Sequence, residues 1–337
     1  MNAGPSRAVD AETAMALDTA GEAARIATSM RDALRNRLRR RGYVVAVSGG
    51  IDSAVCLALS AAAVGPDRVL ALLLPEKDSS DETMGRARRL VEHVGVESVE
   101  QDIEPTLAAI GCYQARDEAM HQVFPEYTPE WKSKIVLTGG LEGRYNHFRL
   151  VVQRPDGEVL SEPLGLREYL QIVAATNYKQ RVRKTIEYFH ADRLNYAVVG
   201  TPNRLEYDQG FFVKNGDGSA DVKPIAHLYK TQVYAMAREL DLPEEVCAAV
   251  PTTDTYSLAQ GQDEFYFALP YAQMDVTLWA FENELSAAEA AVLAGLSEEQ
   301  LARVYEDIRA KRRAAEYLHM PPLQADGKSS RTPTTKA

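Results

Sequence analysis

The chain has 337 residues, 45% apolar and 26% charged, which excludes a disordered or fibrous protein over most of its length. Its 48 acidic residues against 38 basic ones leave a formal charge of −10, which argues against nucleic acid as a partner, because sequence-independent binding needs a basic surface. Three scattered cysteines (Cys56, Cys112, Cys247) form no CxxC pair, no 18-residue apolar run marks a membrane span, and residues 1–20 hold no signal-peptide core; the expectation is a cytoplasmic protein with reduced thiols.

Residues 1–9 read as irregular, within an N-terminal segment 1–24 expected to be flexible. From Ala11 to Arg41 the pattern is helical, with Ile26, Met30, Leu34 and Leu38 four apart, a basic run Arg31–Arg41 at its end, and Gly42 as the stop. An α/β alternation follows. Tyr43–Val47 is a short apolar strand, 48–53 a glycine-containing loop, Ala54–Val64 a helix, and Arg68–Leu74 a second strand. Asp81–Val94 is a helix with Ser79 or Ser80 as cap and Gly95 as terminator, and Glu97–Gln101 a third strand. Such alternation predicts a parallel sheet covered on both faces.

Residues 103–175 break the rhythm and read as an inserted subdomain. It carries Trp131, Gly139–Gly143, and a hairpin of Phe148–Gln153 and Glu158–Leu160 about a Pro-Asp-Gly turn. The alternation resumes with a helix over Tyr178–His190 and a strand over Asn195–Val199. A helix over His227–Leu240 and a helical stretch over 285–318, interrupted at Gly295-Leu296-Ser297, complete the domain 25–320. The tail 321–337 is rich in Pro, Ser, Thr and Lys and reads as disordered.

The sharpest chemical signal is Val44-Val45-Ala46-Val47-Ser48-Gly49-Gly50-Ile51-Asp52-Ser53, running from strand through loop into helix. Two glycines admit an anion close to the backbone, Ser48 and Ser53 add hydroxyl donors, and the helix points its amide-rich end at the loop. A carboxylate at Asp52 inside an anion site makes sense when a divalent cation bridges it to phosphates. The loop is neither a Walker A sequence nor GxGxxG. Elsewhere the six histidines fall into no metal-binding pattern, no GxSxG elbow appears, and Cys112 reads as a buried apolar thiol rather than a nucleophile.

Ser48–Ser53 resembles the SGGxDS pyrophosphate loop of the PP-loop ATP pyrophosphatases, a superfamily that includes NAD, GMP, asparagine and argininosuccinate synthetases and tRNA-modifying enzymes. Three further blocks are similar to the ammonia-dependent NAD synthetases: Gly200-Thr201-Pro202-Asn203-Arg204-Leu205-Glu206, the stretch Gly210–Asp221, and Pro224–Val233. Asn177-x-x-x-Arg181-x-Arg183 upstream and Pro251-Thr252-Thr253-Asp254 downstream match as well. The resemblance covers about residues 25–100 and 175–260. It implies a doubly wound parallel sheet of the adenine-nucleotide alpha-hydrolase, Rossmann-like type, with ATP at the carboxyl ends of the strands and a homodimer whose pocket lies near the subunit interface.

The implied reaction joins the nicotinate carboxylate of deamido-NAD to AMP with release of pyrophosphate, after which ammonia displaces AMP to give NAD. Residue by residue, the resemblance makes Ser48, Gly49, Gly50, Asp52 and Ser53 the pyrophosphate loop. Thr201, Lys230 and Thr252 become ATP contacts, and Asp52 and Glu206 the Mg2+ ligands, with Asp52, Glu206 and Lys230 at the catalytic centre. Phe212, Lys214, Asp217 and Asp221 fall to deamido-NAD, and Asn177, Arg181 and His319 to the same substrate. Taken singly, Lys230, Arg181 and Arg183 read as solvated charges and Asp217 as a turn residue; only their joint occurrence raises them.

Two features depart from the family. The segment before Asn177 is longer, and the C-terminal stretch reads Glu316-Tyr317-Leu318-His319-Met320-Pro321-Pro322, which keeps a histidine without the two cations usual after it; Arg312 or Arg313 are the nearest substitutes. The acceptor could therefore be another small carboxylic acid, handled by the same adenylation and amidation. A nucleotide sensor without catalysis is disfavoured by Asp52, Glu206 and Lys230, and tRNA modification by the acidic charge. The chain lacks the length for an added nitrilase-like glutaminase domain, so free ammonia, or ammonia from a separate protein, is the expected nitrogen source.

Overall fold

A computed structural model describes residues 10–138, 147–249, 256–258 and 269–325. Helices α1 (Ala11–Met15) and α2 (Thr19–Asp32) open the described chain. One helix is expected over 11–41, but the Asp18 carboxylate caps the amide of Gly21 and starts a new helix there. At the far end a wide π turn, Ala33–Leu38, stops at the left-handed Arg39, before Gly42. From the basic run, Arg31 donates to Ala63 O and Arg40 to Asn195 Oδ1, so part of that run ties α2 to its neighbours.

Strand β1 (Tyr43–Ala46) leads to α3 (Ile51–Val64), β2 (Val69–Leu73), α4 (Asp81–Val94) and β3 (Glu97–Glu100). α4 matches its expected bounds, with Ser80 capping Thr83 and left-handed Gly95 ending it. α3 begins three residues earlier than expected, which places Asp52 and Ser53 in its first turn. α5 (Glu104–Ala109) and α6 (Cys112–Val123) precede β4 (Lys132–Thr138), β5 (His147–Gln153) and β6 (Val159–Pro163). α7 (Leu166–Leu194) is 29 residues long and starts well before the expected Tyr178. β7 (Ala197–Val199), α8 (Arg204–Gln209), α9 (Lys230–Glu239), α10 (Glu244–Cys247), α11 (Tyr271–Glu282), α12 (Ala287–Ala294) and α13 (Glu298–His319) complete the order. Ser297 caps α13 at the expected interruption. Gly139–Gly143 and the end of the tail, 326–337, lie outside the described residues.

Four parallel strands form the central sheet in the order β3-β2-β1-β7, with Tyr43 level with Val69 on one side and Ala197 on the other. The order reverses at β1, which is where doubly wound sheets open a crevice at the strands' carboxyl ends. Side chains of β1 and of Val47 just after it alternate between the two faces: Tyr43, Val45 and Val47 pack with α2, α3 and α9, whereas Val44 packs with α5 and α7. A second, antiparallel sheet β4-β5-β6 holds the expected hairpin, whose turn is closed by the Arg154 amide on Glu158 O at 2.8 Å. Its inner face, with Ile135, Leu150 and Val152, covers Met120 of α6 and Ile172 of α7. A third cluster gathers α11, α12 and α13 around Leu205 and Tyr229. No described helix is long and apolar enough to cross a membrane.

Candidate active site

A cavity of about 800 Å³ opens at the carboxyl ends of β1, β2 and β7, between α3, α4, α7, α8, α9 and α13. Its floor on one side is the loop after β1. Gly49 has φ +81°, and a β-carbon there would stand 2.4 Å from the carbonyl oxygen of Thr83 in α4, so glycine is required both by conformation and by space. The turn is held by weak internal bonds: the Ser48 amide to Ser53 Oγ and the Gly50 amide to Ser48 Oγ, each 3.3 Å, beyond the usual N–H···O distance. Those donors, at the amino end of α3, can exchange these contacts for a better acceptor such as a phosphate oxygen.

Asp52 stands at the centre. Its Oδ1 accepts from Asn203 Nδ2 at 3.1 Å and its Oδ2 from Lys230 Nζ. Asn203 and Glu206 form a reciprocal cap on α8, with the Asn203 amide on Glu206 Oε2 at 3.1 Å and the Glu206 amide on Asn203 Oδ1 at 3.2 Å. Burial, reinforced by the Asp52 charge, pushes the Glu206 carboxyl well above the usual range, with Lys230 opposing. Burial works against the Lys230 ammonium, but the charges of Asp52 and Glu206 outweigh it and raise its pKa. Lys230 is itself placed from below: the amides of Lys230 and Thr231, at the first turn of α9, donate to the two oxygens of Asp275, a fully buried carboxylate on α11.

Ser48, Gly50, Asp52, Ser53, Thr201, Glu206 and Lys230 all line this cavity, as do Asn177, Phe212 and Asp217. Gly49, within the same loop, does not itself line the cavity. Asp217 is half-buried and accepts from the Val213 amide at 2.7 Å, so it closes a turn as well as facing the cavity, and the loss of water around it pushes its carboxyl up. Four further candidates also lie off the cavity wall. Arg181 Nε donates to Lys214 O at 3.3 Å, and Lys214 Nζ donates to the carbonyls of Tyr317 and Met320. Asp221 Oδ2 accepts from the Val198 amide, and His319 packs edge-on to Phe212 and Tyr207, with Nε2 2.9 Å from Tyr207 O. Thr252 lies outside the described residues. Arg312 bonds Asp208 and Glu282, so it is no substitute for the missing C-terminal cations, whereas Lys311 lines the cavity paired with Asp307 at 2.6 Å. Cys112 is buried, its thiol near Ala175 O and pushed up by that burial, in keeping with a packing role.

Sequence reasoning missed several groups. Asn203 carries a readable signal, since Asn-x-x-Glu is a helix-cap pattern. Asp275 carries none, being 45 positions from Lys230. Nor does the buried network in which Lys179 Nζ reaches Glu76 at 2.9 Å and Asp78 at 2.6 Å while Arg116 joins Asp78 at 3.0 Å.

A doubly wound sheet with a glycine-containing loop at its switch point, flanked by a lysine and two carboxylates, is the arrangement of the PP-loop class of nucleotide-binding proteins. The NAD synthase family matches residues 22–126 and 158–315, and the chain belongs to that family. It is 55% identical over 318 residues to an NH(3)-dependent NAD(+) synthetase of Rhizobium meliloti (strain 1021), covering 94% of this chain and 95% of the relative. It is 39% identical over 246 residues to the NH(3)-dependent NAD(+) synthetase of Thermotoga maritima, covering 72% and 81%. In fold it is similar to an NMN synthetase from Francisella tularensis (TM-score 0.64, 22% identity, 92% of this chain and all of that one). An NH3-dependent NAD synthetase from Campylobacter jejuni shares the fold too (TM-score 0.60, 21% identity, 91% and 98%).

Proposed function

We infer that this protein is an ATP-dependent, ammonia-using NAD synthetase, a C–N ligase that converts deamido-NAD, ATP and ammonia to NAD, AMP and pyrophosphate. The observation that carries the reading is the meeting of Ser48–Ser53, Glu206 and Lys230 in one cavity, in a chain 55% identical to such a synthetase over 94% of its length. A carboxylate is a poor electrophile because its leaving group would be oxide, and adenylation supplies a good one. As the carboxylate oxygen bonds to the α-phosphorus and the bond to the β-phosphate breaks, charge builds on the phosphate oxygens. The amides of the β1–α3 loop, the amino end of α3 and Lys230 are already aimed where that charge appears. Thr201 orients the adenylate. Ammonia then attacks the acyl carbon and AMP leaves with the electron pair of the bond to the adenylate oxygen.

Mg2+ belongs to the proposal. Asp52 and Glu206 fit it: both carboxylates line the cavity, and Mg2+ is commonly held by one or two carboxylates plus substrate phosphates. Glu206, strained by burial beside Asp52, gains most from a nearby cation. When bound, the ion neutralises phosphate charge. Asn177, Arg181, Phe212, Lys214, Asp217, Asp221 and His319 are proposed for deamido-NAD, with Thr252 for ATP.

A homodimer is proposed as well, supported by an exposed apolar face on α7, where Leu166, Leu170, Tyr178 and Phe189 are 74, 55, 38 and 61% exposed. Asn177 faces the cavity from the same helix, which would set the pocket beside that contact. The antiparallel sheet is proposed as an insertion into the synthetase domain, supported by the gap in the family match at 127–157. A cytoplasmic location is supported by three buried free cysteines. The test is NAD and pyrophosphate formation from ATP and ammonia across a panel of carboxylic acids. Turnover of another acid with none of deamido-NAD refutes the reading.

A further inference from the structure

Building on that reading, we propose that Arg86 is the cation that grips the diphosphate end of ATP and holds it as it departs. Arg86 lies on α4 and lines the same cavity as Ser48, Gly50 and Ser53. Thr83, one turn earlier and therefore on the same side of the helix, presses its carbonyl against Gly49, so the guanidinium stands beside the phosphate loop.

Its hydrogen bonding leaves capacity over. One Nη donates to Glu82 Oε1 at 2.7 Å and the other to Thr83 Oγ1 at 3.3 Å, while Nε is buried without a partner. The side chain is 14% exposed but Glu82 is 80% exposed, so that carboxylate is screened by water and neutralises little. Glu245, which feels the Arg86 charge, is already bonded to Arg89 at 2.5 and 2.8 Å.

The lysines of the cavity differ. Lys230 meets Asp52, Lys179 meets Glu76 and Asp78, Lys184 meets Glu187, and Lys311 meets Asp307. Arg183, further along, turns Nε to Leu74 O. A triphosphate brings several negative charges at once, and a guanidinium whose two Nη groups each keep an N–H beyond the contacts to Glu82 and Thr83 can donate to its phosphate oxygens. In the adenylation step the bond from the α-phosphorus to the bridging oxygen breaks and its electron pair leaves with the diphosphate. Arg86 takes no proton and forms no bond; it is a positioning and charge-neutralising residue for that leaving group.

The experiment compares wild type with Arg86→Met and Arg86→Lys, measuring calorimetric affinities for ATP, pyrophosphate and AMP, then kcat and the KM for ATP. Loss of one charged phosphate contact is expected to weaken ATP and pyrophosphate about tenfold to a hundredfold while AMP, which lacks both outer phosphates, stays within about twofold. Arg86→Lys should recover part of the loss. Arg86→Gln, closer in shape, replaces the methionine variant if that fails to fold. Unchanged affinity for ATP and pyrophosphate overturns the proposal, and so does an equal loss for AMP, which marks a merely structural role. Wild type that releases no pyrophosphate with deamido-NAD instead overturns the function on which the proposal rests.

Discussion

Replacing Asp275 by alanine removes the acceptor of two amides at the first turn of α9, those of Lys230 at 3.2 Å and Thr231 at 2.7 Å. A buried amide left without a partner costs about 1–3 kcal/mol, so the two together should lower stability by roughly 2–5 kcal/mol. That is a large share of the 5–15 kcal/mol typical of a folded domain. The same change frees the helix turn that places Lys230 against Asp52. A shift of about 1 Å in a group that meets the reacting phosphate can cost about a hundredfold in rate.

Guanidinium unfolding and ATP-dependent pyrophosphate release measure the two effects separately. The pH dependence gives a third check. Burial pushes the Asp275 carboxyl up from 3.8 to about 6, with the amides of Thr231 and Lys230 opposing. Because the folded-state value lies above the unfolded one, the stabilisation from holding the proton is complete below pH 3.8 and is lost as pH rises through about 6. The deficit of Asp275→Ala should therefore widen as pH falls from 7 towards 4, by at most about 3 kcal/mol. A variant within 1 kcal/mol of wild type, with unaltered turnover, would refute the reasoning.

Gly49→Ala should lose at least about 2 kcal/mol and most of the ATP affinity, since the positive φ and the Thr83 carbonyl both oppose a methyl group; nucleotide titration checks it. Lys179→Met leaves buried Glu76 without a cation and Asp78 with Arg116 alone, and should cost about 3–5 kcal/mol by urea midpoint, far more than any surface ion pair. Glu22 is held down to about 2, first by its hydrogen bond to Arg25 and then by His227. Its folded value is depressed, so its contribution is present above pH 4.5 and lost as pH falls through about 2. Glu22→Gln should therefore be less stable by about 1 kcal/mol at pH 7, a figure reduced because Arg25 is largely exposed, and the gap should close near pH 2 in thermal unfolding.

Local chemistry made the core readable. Ser80 and Gly95 mark both ends of α4, Ser297 restarts the last helix, and Pro-Asp-Gly announces the β5–β6 turn. The passage from strand through glycine loop into helix at Ser48–Ser53 was legible from residue types alone. What stayed hidden depends on distance along the chain. β4 carries Lys132 and Lys134 among apolar residues and becomes a strand by pairing with β5. α7 has almost no one-sided apolar pattern, because its faces meet the antiparallel sheet, the cavity and the central sheet in turn, so only its latter half reads as helix. Asp275 and Arg86 acquire meaning only from what folds against them, a lysine's helix turn in one case and a glycine loop in the other.

The length of α7 has a mechanical consequence. At 1.5 Å per residue its 29 residues make a rod of about 43 Å, with the Phe148–Tyr169 ring stack at one end, Asn177 and Lys179 at the cavity in the middle, and Ala191 against the central sheet at the other. A rod pinned at three points is held straight and in place, so the seat of the antiparallel layer and the positions of Asn177 and Lys179 are set by one and the same element.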